Sequence, residues 1–294
     1  MKSTYILLAV LMALILLTNF IYTRIDLYGL LGFSQEDVTS IQDMGTSAEG
    51  FQESFMAGFQ AGLQTSESIQ EEGADSIKIL GQGPFYDQDV ATVFSLDVGS
   101  LYEVLLLAIF VGLYIGNIYS SGLDKNLNIF AGQRRNLFAG RMLLIAGYSF
   151  IIHLFTWITA IVSMALMGQS VILGIDKAFV IYFFATWLLI VAFGSIVASM
   201  THVTKSKAAG ITLGIILSAG LLSTLLSVAS LIIEKKFELE SGFNLGNYTV
   251  TQNLAAMTLF SDGHFVLRAL ICAAVYFAVP YAVSLMIIRK RDIA

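Results

Sequence analysis

Residues Phe179–Met200 read FVIYFFATWLLIVAFGSIVASM, a run without one charged side chain. At about 1.5 Å per residue a helix of this length spans the roughly 30 Å apolar core of a bilayer. In water it would expose far more apolar surface than a single helix can hide. This stretch makes the chain a membrane protein before anything else is read, and the rest of the sequence agrees. The 294 residues are 56% hydrophobic and 13% charged, where a soluble domain carries about a quarter charged residues. Five further segments have the same character: Tyr5–Tyr22, Leu101–Ser120, Met142–Met167, Ala209–Ile233 and Leu267–Ile288. The sequence therefore predicts an all-α membrane protein of six transmembrane helices.

The first of these begins behind Lys2, as a signal peptide would. Its apolar run exceeds the usual ~7–15 residues, and no small-x-small cleavage site follows. It reads as a retained span. Basic residues near span ends set orientation, cytoplasmic segments being the richer. With the N-terminus inside, the inner segments hold Lys2, Lys125, Arg134, Arg135, Arg141, Lys205, Lys207, Arg289, Lys290 and Arg291. The outer ones hold Arg24, Lys78, Lys177, Lys235, Lys236 and Arg268, although they are much the longer. Both termini are then expected in the cytoplasm.

Three parts follow. Residues 1–23 form the first span, 24–100 an acidic extracellular domain, and 101–294 the remaining five spans. The last part carries a cytoplasmic loop, 121–141, and an outer loop, 234–266. The stretch 24–100 holds thirteen Asp and Glu against two Lys and Arg. Within it Phe51, Phe55, Phe59 and Leu63 recur every four residues, one face of a helix. That stripe closes a small domain core or meets a lipid leaflet, a partner or a substrate. VATVFSL, residues 90–96, has the composition of a strand. TQNLAAMTLF, residues 251–260, suits a short interfacial or re-entrant helix.

No G-x-x-x-x-G-K-[ST] phosphate loop occurs. AGQRR, residues 131–135, resembles an ATP-binding-cassette signature but lacks the preceding Ser-Gly. His153, His202 and His264 offer no metal-ligand spacing, and His153, in mid-span, reads as a packing residue. Cys272 stands alone, so no disulfide forms within the chain. No span shows a charge in its central turns, whereas ion-coupled carriers place ionisable groups there despite the cost. The energy for any transport is thus expected from outside the chain. Asn19 and Asn117 are expected to bond across helices. Gly112-x-x-x-Gly116 and Gly210-x-x-x-Gly214 let backbones approach closely, within one subunit or between two. Pro280 interrupts the hydrogen bonding of the last span.

The inner loop GLDKNLNIFAGQRRNLFAGR, Gly122–Arg141, mixes basic with apolar side chains. Such a segment lies on anionic headgroups or fits a groove on a soluble protein. It resembles the first cytoplasmic loop of ABC-2 type transporter permeases, which show G-x-x-K-N, then a Gly before a Ser/Arg pair, then a basic residue opening the third span. The matching positions are Gly122, Lys125, Asn126, Gly132, Arg134, Arg135 and Arg141. The C-terminal IIRKRDIA resembles the family's basic ending followed by Asp-Ile, through Arg289, Arg291, Asp292 and Ile293.

The resemblance implies a type V exporter-like bundle and a role for those seven loop residues in coupling to a separate ABC ATP-binding subunit. It also implies a second permease copy or a sister permease, in a bacterial cell membrane. ATP and Mg would belong to the partner ATPase, with no cofactor or catalytic residue on this chain and no nucleic acid partner. The cargo stays open between a peptide or bacteriocin, a drug and an ion. The cytoplasmic amphipathic helix that often precedes the family's first span is missing, since only Met1–Thr4 precede it here. The alternative is a membrane-anchored binding or immunity module whose acidic ectodomain captures a cationic peptide.

Overall fold

The computed structural model describes residues 2–24, 89–122, 134–237 and 244–290. The aromatic stripe of residues 51–63, most of the acidic ectodomain, and residues 123–133 of the cytoplasmic loop lie outside them. Among the described residues every regular element is helical. They are α1 (Lys2–Arg24), α2 (Val90–Gly99), α3 (Tyr102–Ser120), α4 (Arg134–Leu166), α5 (Lys177–Thr204), α6 (Lys207–Ser218), α7 (Leu221–Phe237), a 3-10 turn (Leu245–Tyr248), α8 (Val250–Ala256) and α9 (Gly263–Lys290).

Among the described residues, five helices are long and apolar enough to cross a membrane: α1, α3, α4, α5 and α9. A sixth span exists if the bent pair of α6 and α7 is counted as one. The chain is thus a multi-pass membrane protein by length and composition. The expected unbroken fifth span is instead two helices meeting at 55°. The break falls at Ala219–Gly220, where Gly220 adopts φ +76, a left-handed conformation that glycine takes without a Cβ clash.

The stretch 90–96 is not a strand. Asp89 caps the start of α2, accepting from the Thr92 N–H at 2.9 Å and the Thr92 hydroxyl at 2.7 Å. The helix then buries Val90, Ala91, Val93, Phe94 and Val98 against α4 and α8. Capping and packing outweigh the strand preference of Val and Thr, which is itself mostly a packing effect.

α5, which contains the charge-free run Phe179–Met200, is the centre of the bundle. It packs on α9, α3, α6, α4 and α8. Asp176 caps its start through the Phe179 N–H at 2.7 Å. Lys205 turns the chain in a left-handed conformation, and Ser206 caps α6. α1 is mostly exposed and leans on α4 and α3. The outer surface carries Leu143, Ile151, Leu154, Ile181, Phe184, Leu188, Ile271 and Val275. An apolar belt of that extent suits acyl chains and not water.

Three of the four paired glycines pack α3 against α6 within one chain, while Gly210 faces Thr201 of α5. A Cβ on Gly112 would stand 2.6 Å from Ile211 Cγ1, on Gly116 2.7 Å from Lys207 Cα, and on Gly214 2.7 Å from Ala108 Cβ. Asn117 Oδ1 accepts from Lys207 Nζ at 3.2 Å along the same seam. Pro280 lies inside α9, and one turn before it Ser195 donates to the Phe277 carbonyl at 3.2 Å.

Candidate functional site

The two ends of the bundle are built differently. At the first, α2 descends between the C-terminal part of α4 and the N-terminal part of α5. The Val90 N–H donates to Ile172 O at 2.7 Å, and the Tyr182 hydroxyl donates to Ser95 O at 3.3 Å. α8 closes this end, its Val250, Asn253 and Leu254 buried and its helix packed on α2, α5 and α9. Thr249 caps α8 through the Gln252 N–H, and Asn253 donates to the carbonyls of Asn247 and Thr249 at 2.8 and 2.7 Å.

Between α2 and α3 the chain turns a corner. Leu101 stands at φ 63, a conformation that costs a side-chain-bearing residue about 1 kcal/mol or more. The corner carries two carboxylates inward: Asp97 is 3% exposed and Glu103 1% exposed. Neither lies in the central turns of a span, since Asp97 is on the short helix α2 and Glu103 is in the first turn of α3. Both residues sit at the margins of apolar segments in the sequence, and the corner folds those margins into the bundle.

Asp97 meets Asn19 of α1, whose Nδ2 donates to Asp97 Oδ2 at 3.4 Å and to Ser163 Oγ of α4 at 3.1 Å. Ser163 passes its own hydrogen to Ala160 O at 2.9 Å. Asn19 thus bonds across helices as expected, joining α1, α2 and α4. Thr18 and Tyr102 add a hydroxyl contact at 3.1 Å.

Glu103 meets His153. Its Oε2 lies 2.8 Å from His153 Nδ1, with both side chains withdrawn from solvent. The other ring nitrogen, Nε2, faces the Phe183 carbonyl at 3.1 Å and Thr186 Oγ1 at 3.2 Å. Phe94 packs edge-on to the imidazole at 5.0 Å and Phe183 tilts over it at 4.5 Å. A mid-span histidine that reads as packing from sequence is therefore the junction of α3, α4 and α5. A histidine buried in a bilayer needs a partner, and carboxylates at the nearest span margins were the available signal.

At the opposite end His202 is fully buried, its Nδ1 2.6 Å from the Tyr119 hydroxyl. Phe138 packs on His202 and on Tyr281, tying α3, α4, α5 and α9. The coupling positions read from the sequence follow α3 and run into α4. Gly122, at φ +70, follows α3. Lys125, Asn126 and Gly132 lie outside the described residues. Arg134 and Arg135 open α4. Arg141, two turns further, is buried at 7% exposure and acts electrostatically on Tyr114.

No family model, curated protein or solved structure matches this chain.

Proposed function

We propose that the chain is the permease subunit of an ATP-driven exporter of the ABC-2 type, in a bacterial cell membrane, with its ATPase on a separate chain. One observation carries this reading. α4 runs without interruption from Arg134 to Leu166, 33 residues, or about 50 Å at 1.5 Å per residue. That exceeds the roughly 30 Å apolar core. The same rod begins at the basic loop and carries His153 and Ser163 to the polar corner near the far end. A partner pushing on the loop would move that corner directly.

The remaining architecture fits a gated path. Two short helices, α2 and α8, close one end, and the broken pair α6–α7 sits where a hinge is useful. The loop and its basic residues face the cytoplasm in this reading, and the α2–α8 end faces outward. The cargo is a peptide, a drug or an ion. A second permease, identical or sister, completes the transporter. A binding or immunity module would need no continuous rod between loop and corner.

The test is reconstitution with the candidate ATPase. Charge reversal at Arg134 and Arg135 should cut transport-coupled ATP hydrolysis and co-purification of the ATPase, while membrane insertion stays at the wild-type level. Unchanged hydrolysis and co-purification in the double variant would reject the coupling role.

A further inference from the structure

We propose that Glu103 and His153 form a buried proton-binding site whose shared proton latches α3, α4 and α5 together. This stands on its own geometry, whether or not an ATPase drives the chain.

The hydrogen bonds fix how many protons the pair holds. The Phe183 carbonyl beside Nε2 can only accept, so Nε2 carries a hydrogen. The Thr186 hydroxyl donates to Tyr182 O at 2.8 Å, which leaves its oxygen lone pair for the same Nε2 hydrogen. Nδ1 and Oε2, 2.8 Å apart, must then hold one proton between them. It sits on Oε2 beside a neutral imidazole, or on Nδ1 beside a carboxylate. Both forms keep the bond, and both are neutral overall.

Any other proton count breaks this balance. On release, the O–H or N–H bond breaks, its electron pair stays on Oε2 or Nδ1, and the proton leaves to water. Two lone pairs then face each other with a net negative charge in an apolar surround. On uptake, the second proton bonds to a carboxylate lone pair and the pair becomes a net cation. Charge without compensation is strongly disfavoured at such depth, so either change favours parting of the helices and hydration.

Glu103 supplies a place for the extra proton. Its Oε1 is buried and has no hydrogen-bond partner among the described residues. Among the described residues, Asp97 from α2 and Tyr182 from α5 are titratable groups electrostatically coupled to Glu103. Asp97 continues the carboxylate line towards α1 through Asn19. The aromatic wall of Phe94, Phe179 and Phe183 keeps bulk water from the pair, so a change of proton count must couple to opening of the corner.

The full-length chain in lipid nanodiscs tests this by amide hydrogen exchange at the first turn of α3, corrected for intrinsic rates, between about pH 4 and about pH 9, a range that brackets free Glu and His. Beyond the neutral window, opening should rise by about tenfold per pH unit, as linkage to one proton requires. In Glu103→Gln the amide can donate to Nδ1 and keep the neutral bond, so the rise in opening on the alkaline side should disappear with the corner still protected, while an acid-side rise remains because a freed imidazole takes up a proton. Imidazole nitrogen NMR on the wild type gives a second reading that needs no variant. His153 should keep its Nε2 hydrogen at every pH while Nδ1 changes state. A pH-independent opening in the wild type, an unchanged alkaline-side slope in Glu103→Gln, or a bare Nε2 would overturn the proposal. So would opening that follows sodium concentration at fixed pH, which would make the corner a metal-cation site.

Discussion

The seam between α3 and α6 and the corner between α2 and α3 share a helix, yet they are held by opposite means. In the seam, Gly112, Gly116 and Gly214 let two backbones close on each other. In the corner, Asp97, Glu103 and His153 are enclosed with their hydrogen bonds. The seam is specified by shape and tolerates little added volume. The corner is specified by pairing and tolerates little lost polarity. In a bilayer, where lipid tails solvate apolar side chains as well as protein does, these are the two available sources of specificity.

The contrast can be broken from either side. The largest effect is expected from His153→Leu, which strands Glu103 without its partner. Such a loss costs about 3–5 kcal/mol, read as a fall in thermal midpoint of the purified protein. Replacing both members, as Glu103→Met with His153→Leu, should recover most of that, because a buried pair exchanged for apolar side chains is often neutral. A double variant as unstable as the single would mean that the pair does not act as a unit.

Next in size is Gly116→Val. Even its Cβ meets Lys207 backbone at 2.7 Å, and overpacking of this kind costs about 1–3 kcal/mol. A midpoint equal to wild type would show that α3 and α6 do not approach as described. Asn19→Leu removes the link among α1, α2 and α4, with an expected cost of about 0.6–2 kcal/mol, measured the same way. The smallest effect is expected at Gly147 in α4, where an added Cβ meets nothing within 4 Å. There Gly147→Ala should stabilise by up to about 1 kcal/mol. Destabilisation at that site would point to a contact from a second copy of the chain.

The seam was legible in the sequence and the corner was not, for a physical reason. Small residues four apart on a helix announce close approach by themselves, and only the choice between one chain and two was open. The spans were equally legible, since a charge-free run of bilayer length admits few other fates. The break in the fifth span was hidden because Ala219 and Gly220 sit inside continuous apolar sequence, and hydropathy does not register a φ value. The corner depended on a non-local event. Asp97 and Glu103 look like polar margins of spans until Leu101 folds α2 back into the bundle. β-branched residues disguised α2 itself, and His153 had no sequence neighbour to reveal its partner. Of the residues that the resemblance implies for coupling, Arg141 is turned by α4 into the interior, which its place at the edge of a basic loop does not reveal.

Sidedness underlies the whole reading, and cysteine labelling in intact cells tests it most directly. In a Cys272→Ala background, single cysteines placed at Gln64 and at Asn128 would be challenged with a membrane-impermeant maleimide. Gln64→Cys should react in intact cells, and Asn128→Cys only after permeabilisation. Labelling of Asn128→Cys from outside, with Gln64→Cys protected, would place the basic loop on the wrong face for any cytoplasmic ATPase.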